Sequence, residues 1–515
     1  MAFILLLFSL TVFGVISYYI WSWLYWRIRG IPGPMGYPFY GSFDETLSND
    51  YPPYLKMRDW TEKYGRVYGY TEGVEKTLVI SDPDMVNELL VKQYDNFYGR
   101  KLPAFFGNPE KEKRINLFQA QGHRWKRLRS ISSPTFSNNS LRKVKDTVED
   151  CALELLRHIE DKMADSIDML EFYQEYTFDV IARIAMGQYE SQMFNNPNVE
   201  IFKAILNDKR RFPFVLCGIS PYAAQSLRAI MMKFPSLMKS PFIRVLQLIT
   251  AAVTKRVKQR EEDEKKGIEQ GEPADFIDLF LDARADVDIL KDTNSQFSQS
   301  ESKVDRKLTV DEIVGQCILF LVAGFDTTAL SLSYTTFLLA TNPRTMKKLQ
   351  EEIDKECPDP SISFDQLSKL KYMDCVVKET LRMYPLGTIA NSRRCINSTK
   401  LGNYEIEKGV GVQVDTWTLH YDKKIWGEDA DEFRPERWES GGCDEQMSKG
   451  AYLPFGLGPR QCIGMRLAYM EEKLLLSHIL RKYTFNVTKY TWVDFKLTGR
   501  GTTSPGKVTV RVNAR

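Results

Sequence analysis

A long and almost uncharged stretch constrains the fold of this chain more than any other feature. Thr309 and Glu312 stand at the spacing of a helix capping box. The apolar run that follows continues to Ala340, and Asn342-Pro343 ends it. This pattern predicts a helix on the order of 50 Å long. Because the helix is apolar nearly all round, we expect it to be buried through the middle of a large domain.

Helical periodicity also dominates the rest of the chain. Apolar residues recur at the helical period in Asp146 to His158, Phe172 to Met186, Arg344 to Glu356 and Leu467 to Leu480. Short β-like runs are Lys76 to Ile80, Val410 to Val414 and Val508 to Val512. The charged stretch from Lys255 to Glu272 is predicted to be the solvated end of a helix and the loop after it. The polar stretch from Lys291 to Lys307 is predicted to be a loop. Length alone allows about two to four domains or one large helical enzyme fold. The elements predict a mostly α (α+β) protein with a long central helix and small β-sheets.

The first 26 residues, Met1 to Trp26, contain no charged side chain and are long enough to span a bilayer as a helix. Aromatic residues crowd the second half of this run, as in a membrane-interface belt. Arg27 and Arg29 follow, so the positive-inside rule places the rest of the chain in the cytosol. We predict a transmembrane signal anchor over residues 1–29 and one domain over residues 30–515, joined by a Pro/Gly-rich hinge at 30–36. A cleaved signal peptide is the alternative, but the run is too long and has no charged n-region.

The charge balance and the cysteine pattern exclude few classes of protein, but both are consistent with a domain that faces the cytosol. The chain of 515 residues has 70 basic and 67 acidic residues, a balance that gives no reason to expect a nucleic-acid partner. Its eight cysteines are scattered and form no C-x-x-C pair, a poor pattern for a disulfide framework or a structural zinc site. We therefore expect reduced thiols in a domain that faces the cytosol.

A glycine-rich segment with one cysteine, FGLGPRQCIG over Phe455 to Gly464, is the strongest chemical signal. Its glycines at 456, 458 and 464 would let backbone N–H groups approach the Cys462 sulfur. A glycine-rich turn around a buried structural cysteine is the alternative. The segment resembles the cytochrome P-450 haem-binding signature, F-x-x-G-x-R-x-C-x-G, at every fixed position.

The resemblance covers essentially the whole chain, and its nearest likeness is to animal microsomal enzymes of the family-three type. It implies a cytochrome P-450-type domain with haem b as cofactor and Cys462 as the thiolate ligand of the iron, which favours O–O cleavage. Phe455 would then screen the sulfur, and Arg460 would pair with a haem propionate.

The long helix contains a second motif, AGFDTT over Ala323 to Thr328, which resembles the oxygen-activation motif of the same family. Small residues at 323 and 324 would leave room for dioxygen. Thr327 is positioned to bond the carbonyl four residues back and open the helix locally, and Asp326 would link this place to solvent. The alternative is a core helix with one buried acid, which would be costly if unpaired.

Two further motifs follow the family order. Glu379 and Arg382 share one helix face and resemble its E-x-x-R motif; with Arg437 downstream, the resemblance implies a buried charged triad. Trp125 and Arg129 also lie one helical turn apart, and their donors suit carboxylates. The resemblance assigns both to the haem propionates, together with Arg100 and Arg393.

The resemblance also implies partners. Basic side chains could form a patch for an acidic flavoprotein reductase: Arg124, Lys126, Arg127, Lys143 and Lys145. Electrons would come from NADPH through this reductase, with cytochrome b5 as a second candidate donor. Residues that fall in substrate-contact regions of the family are Phe105, Phe106, Phe118, Phe212, Phe214, the stretch from Ile219 to Leu237, Ile389 and Ala390. An aromatic, apolar pocket implies a lipophilic substrate.

The predicted function is therefore a haem-thiolate monooxygenase of the endoplasmic reticulum membrane, single-pass, with its catalytic domain over residues 30–515 in the cytosol. It would insert one atom of O2 into a xenobiotic, steroid or fatty acid. A haem-thiolate isomerase or dehydratase of oxygenated lipids is the alternative, but such enzymes commonly lack the Asp-Thr pair that this chain has at Asp326 and Thr327. A haem sensor or a haem-free membrane scaffold would leave these motifs without a purpose.

Overall fold

The computed structural model describes residues 1–48, 51–163, 165–206, 212–234, 241–268, 275–283 and 307–515. Most of the polar loop predicted at Lys291–Lys307, the end of the charged stretch that follows Lys255, and the last residues of the apolar stretch before Leu237 lie outside these ranges. The side chain of Phe105 lies outside them as well.

The described chain is mostly helical. The helices before the long central one are α1 Ala2–Ile28, α2 Phe43–Thr46, α3 Pro53–Tyr64, α4 Pro83–Asn87, α5 Gly122–Ser132, α6 Asn138–Glu160, α7 Met169–Met186, α8 Asn198–Leu206, α9 Phe212–Ile219, α10 Pro221–Lys233, α11 Pro241–Lys265 and α12 Phe276–Asp282. The later helices are α13 Val310–Thr341, α14 Pro343–Glu356, α15 Phe364–Lys369, α16 Lys371–Met383, α17 Thr416–His420, α18 Lys423–Trp426, α19 Asp444–Ser448, α20 Met465–Lys482 and α21 Thr491–Asp494.

The strands form small sheets, as predicted. They are β1 Val67–Glu72, β2 Glu75–Ile80, β3 Ser166–Asp168, β4 Ser392–Arg394, β5 Thr399–Leu401, β6 Tyr404–Ile406, β7 Gly411–Val414, β8 Tyr483–Val487, β9 Phe495–Thr498, β10 Ser504–Gly506 and β11 Thr509–Ala514. The largest sheet has the order β1-β2-β7-β4, with β2 and β7 parallel and the outer pairs antiparallel. Strands β3, β11 and β8 form a second sheet, and β9-β10 and β5-β6 are antiparallel pairs.

Helix α13 is the buried central helix that the sequence predicts. Thr309 and Glu312 form the capping box, and the helix ends at Thr341. It packs against α7 along much of its length and also contacts α11, α16 and α20. The Tyr173 hydroxyl of α7 and Thr336 Oγ1 of α13 are hydrogen-bonded at 2.6 Å. Helices α7, α13 and α20 thus pack around one core.

Helix α1 has two parts with different surroundings. Its first two-thirds are exposed and apolar, as a membrane-spanning segment would be. Its last turns dock on the β1–β2 hairpin: the Trp26 indole donates to the Tyr70 carbonyl at 2.9 Å, and the Tyr25 hydroxyl donates to Glu407 at 3.0 Å. The connector is held too, because Gly69 N donates to Pro32 O at 2.8 Å. The connector at 30–36, predicted to be a hinge, is therefore bound to the domain and does not hang free.

Candidate active site

Cys462 lies in a loop that ends at the first turn of α20. Its backbone N–H donates to the Phe455 carbonyl at 2.8 Å, which closes the loop. The N–H groups of Gly464 and Met465 point at the sulfur and lower the thiol pKa, while burial among protein groups raises it more strongly. Cys462 is nevertheless exposed, whereas the other seven cysteines are buried. A sulfur that is both accessible and surrounded by protein faces an internal space.

The glycines of this loop have different roles. Gly456 and Gly458 have φ of +73° and +72°, values that glycine adopts most readily. At Gly458 a Cβ would also lie 2.2 Å from the Leu90 carbonyl oxygen. Gly464 has φ of −85°, and a Cβ there would meet only Phe136 at 3.8 Å. The backbone conformation thus favours glycine at two of the three positions, and a close approach of another backbone group requires it at Gly458.

Four arginines converge beside Cys462. Arg100 and Arg393 both donate to the Ala390 carbonyl, at 2.8 and 3.2 Å. Arg460 donates to the Ala120 carbonyl at 2.6 Å, and Arg129 donates to the Gln461 carbonyl at 2.9 Å. The structure thus brings together four arginines that are far apart in sequence.

The electrostatics of this arginine cluster are unfavourable without an anion. Burial lowers the pKa of each of the four guanidinium groups, and that of Arg393 falls to about 9. The positive charge of Arg460 lowers the pKa of Arg100 and of Arg393 further. The buried Nε atoms of Arg100, Arg393 and Arg460 have no hydrogen-bond partner. No acidic side chain of the described ranges forms an ion pair with any of the four, so the cluster suits a ligand with two negative charges.

Aromatic rings support the same cluster. The Arg460 guanidinium lies over the Trp125 ring at 4.9 Å, and that of Arg100 lies over the Phe118 ring at 4.1 Å. The Trp125 ring in turn contacts Tyr94 at 5.5 Å. Phe455 packs against Tyr469 beside the cysteine loop. An internal thiol, a set of cations and flat rings together fit haem, whose propionates would be bound by the arginines and whose iron would be bound by the sulfur.

Asp326 and Thr327 lie on α13 as the motif requires, but they make separate contacts. Thr327 Oγ1 donates to the Ala323 carbonyl at 2.8 Å, as expected from its spacing. Asp326 is buried, and burial raises its carboxyl pKa. The Thr502 hydroxyl donates to Asp326 Oδ2 at 2.8 Å, and the Gln174 amide donates to Oδ1 at 3.4 Å. Within the described part of the chain, both hydrogen bonds to Asp326 come from neutral protein groups, and its predicted link to solvent stays a prediction.

The small residues at 323 and 324 also have separate roles. Ala323 is exposed although most of α13 is buried, so it faces an internal space. Gly324 instead faces α7, where a Cβ would lie 3.1 Å from Ile181 Cδ1. Gly324 is therefore small because of helix packing, which corrects the prediction that it leaves room for dioxygen.

Several residues predicted to contact substrate are apolar and exposed: Phe106, Phe212, Phe214 and Ile389. Ile389 stands one residue before Ala390, whose carbonyl binds two of the arginines. Phe212 and Phe214 come earlier in the chain than Ile389, on α9, whose carbonyl at Ile219 accepts a hydrogen bond from Tyr19 of α1.

The predicted charged triad is present. Glu379 binds Arg382 at 2.8 Å and Arg437 at 3.0 Å, and the Trp438 indole donates to Glu379 at 2.9 Å. Arg382 also donates to the carbonyls of His420 and Ala430. The triad therefore fixes the segment that leads into the cysteine loop.

The prediction of an exposed cationic patch is wrong for three of its five residues. Arg124 and Arg127 are buried and both bind Glu312, at 2.9 and 2.6 Å. Lys145 is buried as well and binds Glu149 at 2.9 Å. Lys143 is exposed and Lys126 is half-buried. Three of the five charges are therefore used inside the protein. Arg124 and Arg127 are buried because α5 packs against the start of α13, and Lys145 is paired within its own helix α6.

Sequence reasoning missed three polar residues of this region, Tyr94, Gln174 and Thr502, and it missed the contact of the capping residue Glu312 with α5. Tyr94 interacts with Arg460, and Glu312 is both the capping residue of α13 and the partner of α5. Gln174 and Thr502 bind Asp326 from two other elements. No local sequence signal marks these contacts, since each joins segments that are distant in the chain.

Comparison with known proteins gives consistent matches. The family model described as Cytochrome P-450 matches residues 31–507. The curated relatives include three from Caenorhabditis elegans that bear cytochrome P-450 names. The chain is 61% identical to CYP13A10, covering 100% of both chains. It is 58% identical to CYP13A1, over 99% of this chain and 98% of the relative, and 55% identical to CYP13A5, over 98% and 97%.

Proposed function

The chain belongs to the cytochrome P-450 family of haem monooxygenases, and on that premise we propose that Cys462 is the haem-iron ligand of an enzyme that oxygenates lipophilic small molecules. The observation that supports this most is that Cys462 is the one exposed cysteine of eight and stands beside the arginine cluster. Haem held there would supply redox-active iron for splitting dioxygen.

The residues of this chain would each have a defined task. Arg100, Arg129, Arg393 and Arg460 would hold the two propionates, with Trp125 under the Arg460 guanidinium. Phe455 and the N–H groups at the start of α20 would keep the Cys462 thiolate dry and stabilise its charge.

Asp326 and Thr327 would deliver protons as a relay. Thr327 Oγ1 is a hydroxyl that both accepts and donates, and it stands one residue from Asp326, an acid whose raised pKa suits it to hold a proton. This pair favours oxygen insertion over the alternative, an isomerase or dehydratase of oxygenated lipids, which needs no proton delivery to dioxygen.

The substrate class is inferred from side chains that face accessible space. Phe106, Ile389 and Ala323 are apolar and exposed. Such surfaces suit a lipophilic xenobiotic, steroid or fatty acid. Electrons would come from NADPH through a reductase, with cytochrome b5 as a second donor. The buried Arg124, Arg127 and Lys145 are not available for docking, so the reductase would have to use other cations of this face, such as Lys143.

Membrane placement follows from α1. We propose that its exposed first part anchors the protein in the endoplasmic reticulum membrane, with the domain in the cytosol. Three glycosylation sequons begin at Asn138, Asn397 and Asn486, and all three asparagines are exposed. Protein from eukaryotic cells should therefore carry no glycan at these sites; a mobility shift on glycosidase treatment would place the domain in the lumen instead.

Isotope labelling tests the reaction class. The purified protein, reconstituted with a reductase and NADPH, is screened against lipophilic compounds under ¹⁸O2. Product that contains one ¹⁸O atom and forms only with NADPH supports the proposal. Product that forms without NADPH and without label would establish the isomerase or dehydratase alternative.

A further inference from the structure

Asp326 is held by neutral groups from two other parts of the fold. Thr502 Oγ1 donates to its Oδ2 at 2.8 Å, and Gln174 of α7 donates to its Oδ1 at 3.4 Å. Within the described ranges no Lys, Arg or His forms an ion pair with it. The orientation of this carboxyl therefore depends on hydrogen bonds, of which the one from Thr502 is the shorter.

Thr502 lies in the turn between β9 and β10, which is tied to the segment before Ile389. Thr503 N donates to the Leu386 carbonyl at 3.0 Å, and Thr503 Oγ1 donates to the Pro385 carbonyl at 2.8 Å. At Gly501 a Cβ would lie 3.9 Å from Ile389 Cδ1. One short turn therefore binds the acid of α13 through Thr502 and lies beside the exposed apolar side chain of Ile389.

Asp326 and Thr327 are consecutive on a helix, so their side chains leave the axis about 100° apart. The Asp326 carboxyl now points to the β9–β10 turn, and Thr327 Oγ1 points along the helix to Ala323. For the carboxyl to reach the Thr327 side, its hydrogen bond from Thr502 must be released. The orientation of the Asp326 carboxyl thus depends on the position of the β9–β10 turn.

We propose that Thr502 is a positioning residue that holds Asp326 away from Thr327 and links the orientation of this acid to contacts made at Ile389. The proposal rests on the function proposed above, in which Asp326 supplies protons. A lipophilic molecule that contacts Ile389 would press on the turn at Gly501 and loosen the Thr502–Asp326 hydrogen bond. Proton supply would then rise only when substrate is present.

The variants for the test are chosen in pairs. Thr502→Val removes the hydroxyl and keeps the shape, and Thr502→Ser keeps the hydroxyl. Thr498→Val makes the same hydroxyl-to-methyl change in the same hairpin, at a position that forms no hydrogen bond to Asp326. Asp326→Asn identifies the infrared band of the Asp326 carboxyl as the band that this variant lacks.

The first readout is infrared difference spectroscopy, which does not need turnover. The Asp326 band should shift in Thr502→Val and stay in place in Thr502→Ser and Thr498→Val. The second readout is NADPH consumption without substrate, which should rise several-fold in Thr502→Val alone, with substrate affinity unchanged. In the Asp326→Asn background, Thr502→Val should cause no further rise in NADPH consumption.

An unshifted Asp326 band in Thr502→Val, or the same NADPH consumption in Thr502→Val and Thr498→Val, would overturn the positioning role. Failure of the proposed function is seen separately, as wild-type product without ¹⁸O.

Discussion

Arg382 Nε lies 2.8 Å from Glu379 Oε2, and both side chains are wholly buried. Arg437 completes the ion pair on the other side of the Glu379 carboxylate. Since the arginines also bind backbone carbonyls of the segment before the cysteine loop, this triad connects the core to the site.

Removing one member of the triad should therefore destabilise the whole domain. Arg382→Met leaves Glu379 buried with one partner fewer, which should lower the free energy of unfolding by about 3–5 kcal/mol. Denaturant unfolding of the purified protein measures this. Arg142→Met, which breaks an exposed pair with Asp365, is the control and should change little. Equal effects of the two variants would contradict a structural role of the triad.

Docking of α1 depends on a glycine. In Gly69→Val a Cβ would lie 2.2 Å from the Trp26 ring, so the last turns of α1 should leave the β1–β2 hairpin. Limited proteolysis should then cut the connector at 30–36 faster than in the wild type. The control is Gly14→Val, because nothing lies within 4 Å of a Cβ there. Equal cleavage rates in both variants would contradict the dependence of α1 docking on Gly69.

Local signals predicted much of this fold. The capping box at Thr309 and the Asn342-Pro343 end gave α13 its limits, because capping and proline chemistry act within a few residues. The partners of Glu312 and Asp326 could not be predicted in this way. Arg127 and Thr502 are each more than a hundred residues away, and periodicity does not reveal which distant segment packs on a helix face.

The cationic patch shows the same limit. Basic residues at Arg124 and Arg127 look the same in sequence whether they face solvent or a buried carboxylate. Only packing of α5 on the start of α13 distinguishes the two cases. Gly324 is similar, since its contact with Ile181 depends on how closely α7 approaches.

A buried acid on α20 should make stability depend on pH. Burial raises the pKa of Glu472 from 4.5 to about 8. The folded state therefore binds this proton more tightly than the unfolded state, so stability is fully present below about pH 4.5 and falls as the pH rises to about 8. Each pH unit in that window is worth at most about 1.4 kcal/mol.

Glu472→Gln should remove this part of the pH dependence and raise the melting temperature most near pH 8. Melting curves between pH 5 and 8.5 measure it, with the exposed Glu62→Gln as control. A pH profile that is parallel to the wild type in Glu472→Gln would show that this carboxyl is ionised throughout.

Thr327 should affect how electrons are used more than how haem is bound. Thr327→Ala removes the hydroxyl and keeps the helix, since alanine is the better helix former. Product per NADPH should fall by on the order of tenfold or more, because a positioned acid–base group contributes at least that much, and peroxide should rise. Thr327→Ser should restore most of the coupling. Unchanged coupling in Thr327→Ala would exclude this hydroxyl from the proton route.

Identification of the iron ligand is the most direct test of this account. The reduced protein is mixed with carbon monoxide, and the difference spectrum is recorded for the wild type, Cys462→Ser and Cys443→Ser. Cys443→Ser is the control, because Cys443 is buried and its thiol donates a hydrogen bond to the Arg437 carbonyl. Because a thiolate ligand donates electron density to the iron, we predict the red-shifted band in the wild type and in Cys443→Ser and its loss in Cys462→Ser. A folded, haem-containing Cys462→Ser protein that keeps this band would contradict the assignment of Cys462.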